Sequence, residues 1–322
     1  MIDDPVLLND WHVVGRVSEI AIGQVQSIRL LDEGLVLWRN EEGIQVWKDL
    51  CIHRGAKLSP GKVKENCLVC PYHGWSYDSE GICRFIPAHP EQRPPARART
   101  ITYQVKERYG LVWVCLGEPV RDIPVYREWD DPSFKTIPAG PYRMRASGPR
   151  IIENFLDVAH FPFVHAGYLG DPAHTEIEDY DVETGPESVV ARDIGVWQPD
   201  PDGSGKPARV SYTYEVLRPL TARFSKFQGG HVLSMIDIVT PVTETESVAW
   251  PMMSTNYDTG ASEEEFIKFQ DVITAQDIPV VESQRPELLP LDLQAELHLR
   301  SDRTAIAYRQ WLRKLGLRFG TA

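Results

Sequence analysis

The chain has 322 residues, 42% of them hydrophobic, with 46 acidic against 34 basic side chains and a formal net charge of −12. Apolar content and length suffice for a substantial core in two domains, while so negative a balance argues against a nucleic-acid binder, whose phosphate contacts need a basic face. No run approaches the ~18–20 apolar residues of a membrane span, Met1-Ile2-Asp3-Asp4 is acidic where a secretory signal is basic, and five cysteines do not resemble a disulfide framework. The expectation is a cytoplasmic protein with reduced thiols.

In chain order, short β segments are predicted at 34–38, 44–47, 68–70 and 110–116, set apart by turn residues as in a small all-β domain. A stretch punctuated by Pro and Gly, 119–149, lacks periodicity and marks a boundary between domains at 1–118 and 119–322. Residues 150–161 read as a helix, with apolar Ile151, Ile152, Phe155, Val158 and Ala159 interleaved with polar Asn154, Asp157 and His160. Strands are predicted at 189–196, 210–217 and 232–240. A helix is predicted over 262–276, where Ser262 and Glu265 have the spacing of a capping box, and a last helix over about 291–315. A sheet with helices gathered around it is the α+β pattern.

Two constellations carry chemistry. In the first, Cys51-Ile-His53 and Cys70-Pro-Tyr-His73 each put a thiolate and an imidazole on one tight loop, with Gly55 and Gly74 free to take the positive φ such loops need. Four zinc ligands would fit Cys₂His₂, but the Cys-x-His pair is unusual for zinc fingers. Two thiolates on one iron and two imidazoles on the other is the Rieske [2Fe–2S] arrangement. Cys67, Cys83 and Cys115 read as small core residues, and His12, His89, His174, His231 and His298 have no ligand-like spacing.

In the second, Asn154, Asp157 and His160 are spaced by three along one face of the predicted helix. His165 lies too far around for that face, unless Pro162 ends or kinks the helix and swings it back. Two imidazoles and one carboxylate make the facial triad of mononuclear non-haem Fe(II) enzymes. The carboxylate comes from elsewhere: Asp277 is preferred, with Glu282 the alternative.

Cys-x-His and Cys-x-x-His, followed by Asn-x-x-Asp-x-x-His-x-x-x-x-His, resemble the paired motifs of the Rieske non-haem iron oxygenases over nearly the whole chain. The short length and the segments 86–90 and 157–165 are similar to the single-subunit branch, with its vanillate and dicamba O-demethylases and saxitoxin-pathway hydroxylases. The resemblance implies an N-terminal all-β Rieske domain and a C-terminal catalytic domain whose antiparallel sheet is surrounded by helices. It implies that Cys51, His53, Cys70 and His73 hold the [2Fe–2S] cluster and that His160, His165 and Asp277 hold Fe(II). Asn154 and Asp157 become catalytic residues, Asp157 as the carboxylate bridging the two centres. The activity implied is that of a terminal oxygenase, taking O₂ and electrons from NAD(P)H through a ferredoxin or flavin reductase to hydroxylate or oxidatively demethylate a small organic substrate. The assembly implied is a homotrimer in which each Rieske domain serves a neighbour's iron. Other classes remain distinct: a Rieske electron carrier with an accessory domain holds two irons per chain rather than three, a zinc-stabilised binding protein is colourless, and a related oxygenase could cis-dihydroxylate a ring.

Two further features follow. Residues 81–110 carry six basic side chains against Glu91 and Glu107, a local charge that could guide an acidic reductase partner or be a plain solvated surface. In the predicted strand 233–240, alternation puts Met235 and Asp237 on one face, and in the resembling oxygenases this strand lines the substrate pocket. A carboxylate there is costly unless paired, which leaves either a substrate partner or a salt bridge to Arg218 or Arg223.

Overall fold

The computed structural model describes residues 3–322 and divides into two compact units, one ending at Ile123 and the other spanning Pro124–Ala322. The division lies a few residues beyond the expected 118. Residues 119–123 stay with the first unit because the Val120 N–H donates to the Asn9 carbonyl (3.1 Å) and the Trp11 indole donates to the Arg121 carbonyl (3.1 Å).

The first unit opens with a single turn, α1 (Pro5–Leu8), and continues through ten short strands. β1 (His12–Arg16), β9 (Gln104–Arg108) and β10 (Leu111–Cys115) form one sheet, and β2 (Val25–Leu30), β3 (Glu33–Asn40) and β4 (Gly43–Lys48) a second. β5 (Lys62–Lys64), β6 (Cys67–Val69), β7 (Ser76–Tyr77) and β8 (Cys83–Phe85) form a third, and every pairing is antiparallel. All four predicted β segments fall on β3, β4, β6 and β10. A core of Trp38, Trp47, Leu58, Leu68 and Tyr77 closes around Cys51 and Cys70.

The second unit is built on a nine-stranded antiparallel sheet. After the short α2 (Arg127–Asp130) its strands are β11 (Lys135–Pro138), β12 (Tyr142–Met144), β13 (Asp181–Thr184), β14 (Val189–Gln198), β15 (Ala208–Arg218), β16 (Thr221–Gln228), β17 (His231–Thr243), β18 (Glu246–Ala249) and β19 (Met252–Thr255). The spatial order is β11-β19-β17-β16-β15-β14-β13, with β18 pairing β17 and β12 pairing β18. Helices α3 (Gly148–Leu156), α4 (Phe161–Val164), α5 (Glu263–Ser283) and α6 (Arg303–Leu315) complete the α+β unit. Sequence alternation located β14, β15 and β17 but not β16, because Arg223 and Lys226 interrupt its apolar pattern. Both cations have partners inside the fold that periodicity cannot reveal.

Three expected helices differ. The predicted helix 150–161 ends at Leu156, and Asp157 is extended (φ −89°, ψ 134°), so Asn154, Asp157 and His160 do not share one helix face. The chain re-enters a helix at Phe161 with Pro162 in its first turn, where a missing N–H is no loss; Pro162 starts a helix rather than ending one. The helix expected over 291–315 begins only at Arg303 after a 3₁₀ turn at Arg300–Asp302. Upstream of that turn Glu296 reaches Arg150 and Arg309, and these tertiary contacts replace helical register. α5 opens on the expected Ser262–Glu265 capping box but continues past 276 to Ser283, carrying Pro279 inside it. Among the described residues no helix is long and apolar enough to cross a membrane.

Candidate active site

α3 begins where the Ser147 hydroxyl accepts from the Arg150 N–H, and it stops at Asp157, whose Oδ1 accepts from the Ala159 N–H (2.7 Å). That local bond suits an Asp leaving a helix. It turns Oδ2 toward His160 Nδ1, 3.1 Å away. A carboxylate only accepts, so Nδ1 carries the proton and Nε2 is left bare. Across α4, the buried His165 presents Nδ1 to Gln276 Oε1 at 2.8 Å, an acceptor that fixes the same tautomer.

The two bare nitrogens meet: His160 Nε2 and His165 Nε2 are 3.2 Å apart. Asp277 Oδ1 lies 3.1 Å from His165 Nε2 and 3.5 Å from His160 Nε2. Neighbouring ligands about 2.1 Å from one ion, at right angles, stand about 3 Å apart, so this triangle fits a single metal ion. Among the described residues it is the one such cluster of His, Cys, Asp and Glu. Burial draws the His165 pKa down, but the facing Asp277 carboxylate, with Gln276, leaves it raised, since both favour positive charge at this corner. Asn154 Nδ2 reaches Asp277 Oδ1 at 3.5 Å. The alternative Glu282 lies elsewhere, bound to the Arg145 backbone N–H and guanidinium, both at 2.9 Å. Five residues along a helix turn a side chain about 140° from Asp277.

The first constellation also assembles. The Cys51 N–H donates to the Ala56 carbonyl (2.7 Å) and the Cys70 N–H to the Trp75 carbonyl (2.8 Å), closing two loops of matching form. Gly55 and Gly74 take φ of 69° and 70°, as their place in such loops demands. Cys51 and Cys70 are buried, the His53 and His73 rings lie 4.5 Å apart, and His53 stacks on Trp75 at 4.4 Å. Tyr77 Oη sits 3.1 Å from Cys51 Sγ. His53 Nδ1 is buried and meets no hydrogen-bond partner, which is costly for a polar atom unless something ligates it. Two thiols and two imidazoles around such an orphaned atom suit a His₂Cys₂ iron–sulfur cluster. Cys67 stands apart in β6, and Cys83 and Cys115 are buried in the first unit. His174 stacks on Trp197 and His231 on Tyr257.

Beside the His160–His165–Asp277 triangle lies a cavity of about 390 Å³, the size of a small-molecule site. Aromatic and thioether side chains, Phe155, Tyr214, Phe224, Met235 and Met253 among them, line part of its wall. Phe155 stacks on Phe224 with centroids 5.5 Å apart and meets Tyr214 edge-on at 5.8 Å. Two buried charges interrupt this lining. Asp237, 6% exposed, lines the cavity with Met235 as alternation implied, and burial pushes its pKa up to about 7. Arg223 is not its partner, being held by Glu128 (3.0 Å) and Glu215 (2.8 Å).

Lys226 and Gln276 were not singled out by sequence. Lys226 Nζ donates to the Pro201 carbonyl (2.5 Å) and Gln198 Oε1 (3.3 Å), with burial lowering its pKa to about 8. Alternation with Phe224 in β16 marks Lys226; nothing but adjacency to Asp277 marks Gln276. In the basic stretch 81–110, Arg84 pairs with Asp78 and Lys106 with Asp122, so part of its charge is neutralised locally.

Comparison with known proteins bears on both centres. A Rieske [2Fe-2S] domain model matches residues 10–105, and a model of the vanillate O-demethylase oxygenase C-terminal domain matches residues 144–318. Methylxanthine N1-demethylase NdmA of Pseudomonas putida is 33% identical over 95% of this chain and 88% of its own. The probable methylxanthine N7-demethylase NdmC of Pseudomonas sp. (strain TJI-51) is 36% identical over 99% of this chain and 98% of its own. The solved structure of P. putida CBB5 NdmA with caffeine superposes with a TM-score of 0.83 at 30% identity, covering 96% of this chain and 90% of that one.

Proposed function

The chain belongs to the Rieske non-haem iron oxygenases, and from that premise we propose that it removes a methyl group oxidatively from a ring nitrogen of a planar heterocycle. As a family member it is a terminal oxygenase with a [2Fe–2S] cluster and a mononuclear iron, fed by an electron donor. The observation that carries the finer reading is the aromatic cavity of about 390 Å³ directly beside His160, His165 and Asp277. The two relatives named as methylxanthine demethylases support it.

In this reading Cys51, His53, Cys70 and His73 hold the cluster, and His160, His165 and Asp277 hold the iron. Bound there, the cluster supplies single electrons and the iron supplies O₂ activation. The chain's residues do the rest. Asp157 Oδ2 accepts the His160 Nδ1 proton and Gln276 Oε1 accepts that of His165, so both Nε2 lone pairs face the iron position. Phe155, Phe224 and Tyr214, packed on one another, form an aromatic wall against which a flat ring can lie and displace water. Net, the N–CH₃ carbon is hydroxylated at the expense of O₂, two electrons and two protons, with one water released. The N–CH₂OH product then breaks its C–N bond, the hydroxyl proton passes to nitrogen, and formaldehyde leaves. A separate reductase drawing on NAD(P)H reloads the cluster, and the assembly is a homotrimer.

The test is O₂ uptake and formaldehyde release with a surrogate reductase and a panel of N-methylated purines, including caffeine and theobromine, against methoxybenzoates. Formaldehyde in proportion to O₂ from an N-methyl compound is the expected result. Turnover confined to the methoxybenzoates would overturn the N-demethylase reading.

A further inference from the structure

Asp237 Oδ1 is buried and has no hydrogen-bond partner, although buried acceptors are nearly always satisfied. The neighbouring Ile238 backbone N–H offsets only part of the cost of burying the charged form. Asp237 points from β17 to the cavity face it shares with Met235, and among the described residues no cation serves it. Arg223, on the neighbouring strand, is engaged by Glu128 and Glu215. Lys226 is on the cavity face, but Asp237 pairs with Ala222 and Lys226 with Leu233. That is four residues along the strand, or about 13 Å, and Lys226 is held by Gln198 and Pro201. Asp277, across the cavity, bears the same charge and disfavours ionisation of Asp237.

A carboxylate so placed lacks a donor, and the cavity is where one can arrive. We propose that Asp237 orients the substrate by accepting a hydrogen bond from a ring N–H of a flat nitrogen heterocycle packed against the aromatic wall of Phe155, Phe224 and Tyr214. The substrate class narrows accordingly: the heterocycle carries the methyl group to be oxidised and, elsewhere on the ring, an unsubstituted N–H. This deepens the demethylase reading and rests on it for the identity of the cavity. The selectivity arises because a ligand without the N–H leaves Asp237 buried and unpaired, and such a loss discriminates more strongly than a change of apolar shape.

The test is equilibrium binding to the holoenzyme by calorimetry without reductant, using indole and benzofuran, which share a shape and differ by an N–H against an oxygen. At about pH 9, where Asp237 is ionised despite its burial, a hydrogen bond to a charged acceptor is worth about 1.5–3 kcal/mol, so indole is expected to bind more than about tenfold tighter. In D237L the ratio falls to about one; in D237N, which keeps an acceptor oxygen, a ratio of a few-fold remains. Equal affinities in the wild type, no indole binding at millimolar concentration, or an unchanged ratio in either variant overturns the proposal. Because binding is read without turnover, failure to release formaldehyde would sink the demethylase reading and leave this result standing, and the converse holds.

Discussion

Asp157 is placed by its own backbone environment and then acts on its neighbour. Its Oδ1 closes the turn at the Ala159 N–H while Oδ2 holds His160 Nδ1, so one side chain both ends the helix and orients the His160 imidazole. Asp157→Ala is expected to lower turnover by about 100-fold or more, at the upper end of losses from ligand-orienting partners, with the visible spectrum of the cluster unchanged. Oxygen uptake under saturating reductase decides it, and near-normal turnover would remove the role. Lys226 gives a prediction in pH. Folding lowers its pKa from 10.5 to about 8 because burial penalises the ammonium. The unfolded chain therefore keeps this proton up to about 10.5 while the folded one releases it near 8. Stability tied to Lys226 rises as pH climbs through that window and is absent below it. Relative to Lys226→Met, the wild type should gain up to about 3 kcal/mol across the window, measured by urea unfolding at matched pH values. A constant difference between the two proteins would show that the buried ammonium is not desolvated as described.

Among the elements, α3 and α6 are joined by a buried charge cluster rather than by apolar packing alone. Arg309, 2% exposed, donates to both Glu153 oxygens and to Glu296, which also receives Arg150. Glu153 lies next to Asn154, so the cluster anchors the helix whose Asn154 reaches Asp277. Replacing both partners of such a pair can be neutral, but removing one strands a buried charge at about 3–5 kcal/mol. Arg309→Met is thus expected to lower the melting temperature by about 10 °C, given about 2–4 °C per kcal/mol for a unit of this size. A shift within a degree or two would show that Glu153 and Glu296 are satisfied without Arg309.

For the whole molecule, the two metal centres make separable demands. With one cluster and one mononuclear iron, the protein should carry about three irons per chain. His160→Ala should carry about two and keep its visible spectrum, while Cys70→Ser should lose the spectrum. If electrons cross between subunits of a ring-closed trimer, mixed assemblies of these two inactive chains should regain part of the activity. Verified mixed trimers without activity would place the electron path inside a single chain.

Sequence by itself determined what depends on residue type and short spacing. The two Cys-and-His loops were legible because each Cys and its His sit within a few residues and Gly55 and Gly74 mark the turns. His160 and His165 were legible as a pair, and alternation put Met235 and Asp237 on one face of β17. Tertiary structure decided what depends on partners distant in the chain. It set Asp277 beside the two imidazoles, while helical rotation and Arg145 carry Glu282 away from them. It brought Gln276 to His165 across 111 positions of sequence, and gave Lys226 and Arg223 the buried partners that let a charged segment become a central strand. It also withheld helix from 291–299, where Glu296 bonds back to two arginines; α3 ended at Leu156 on a local bond, Asp157 to the Ala159 N–H, that the apolar pattern does not show. Local periodicity records none of those bonds.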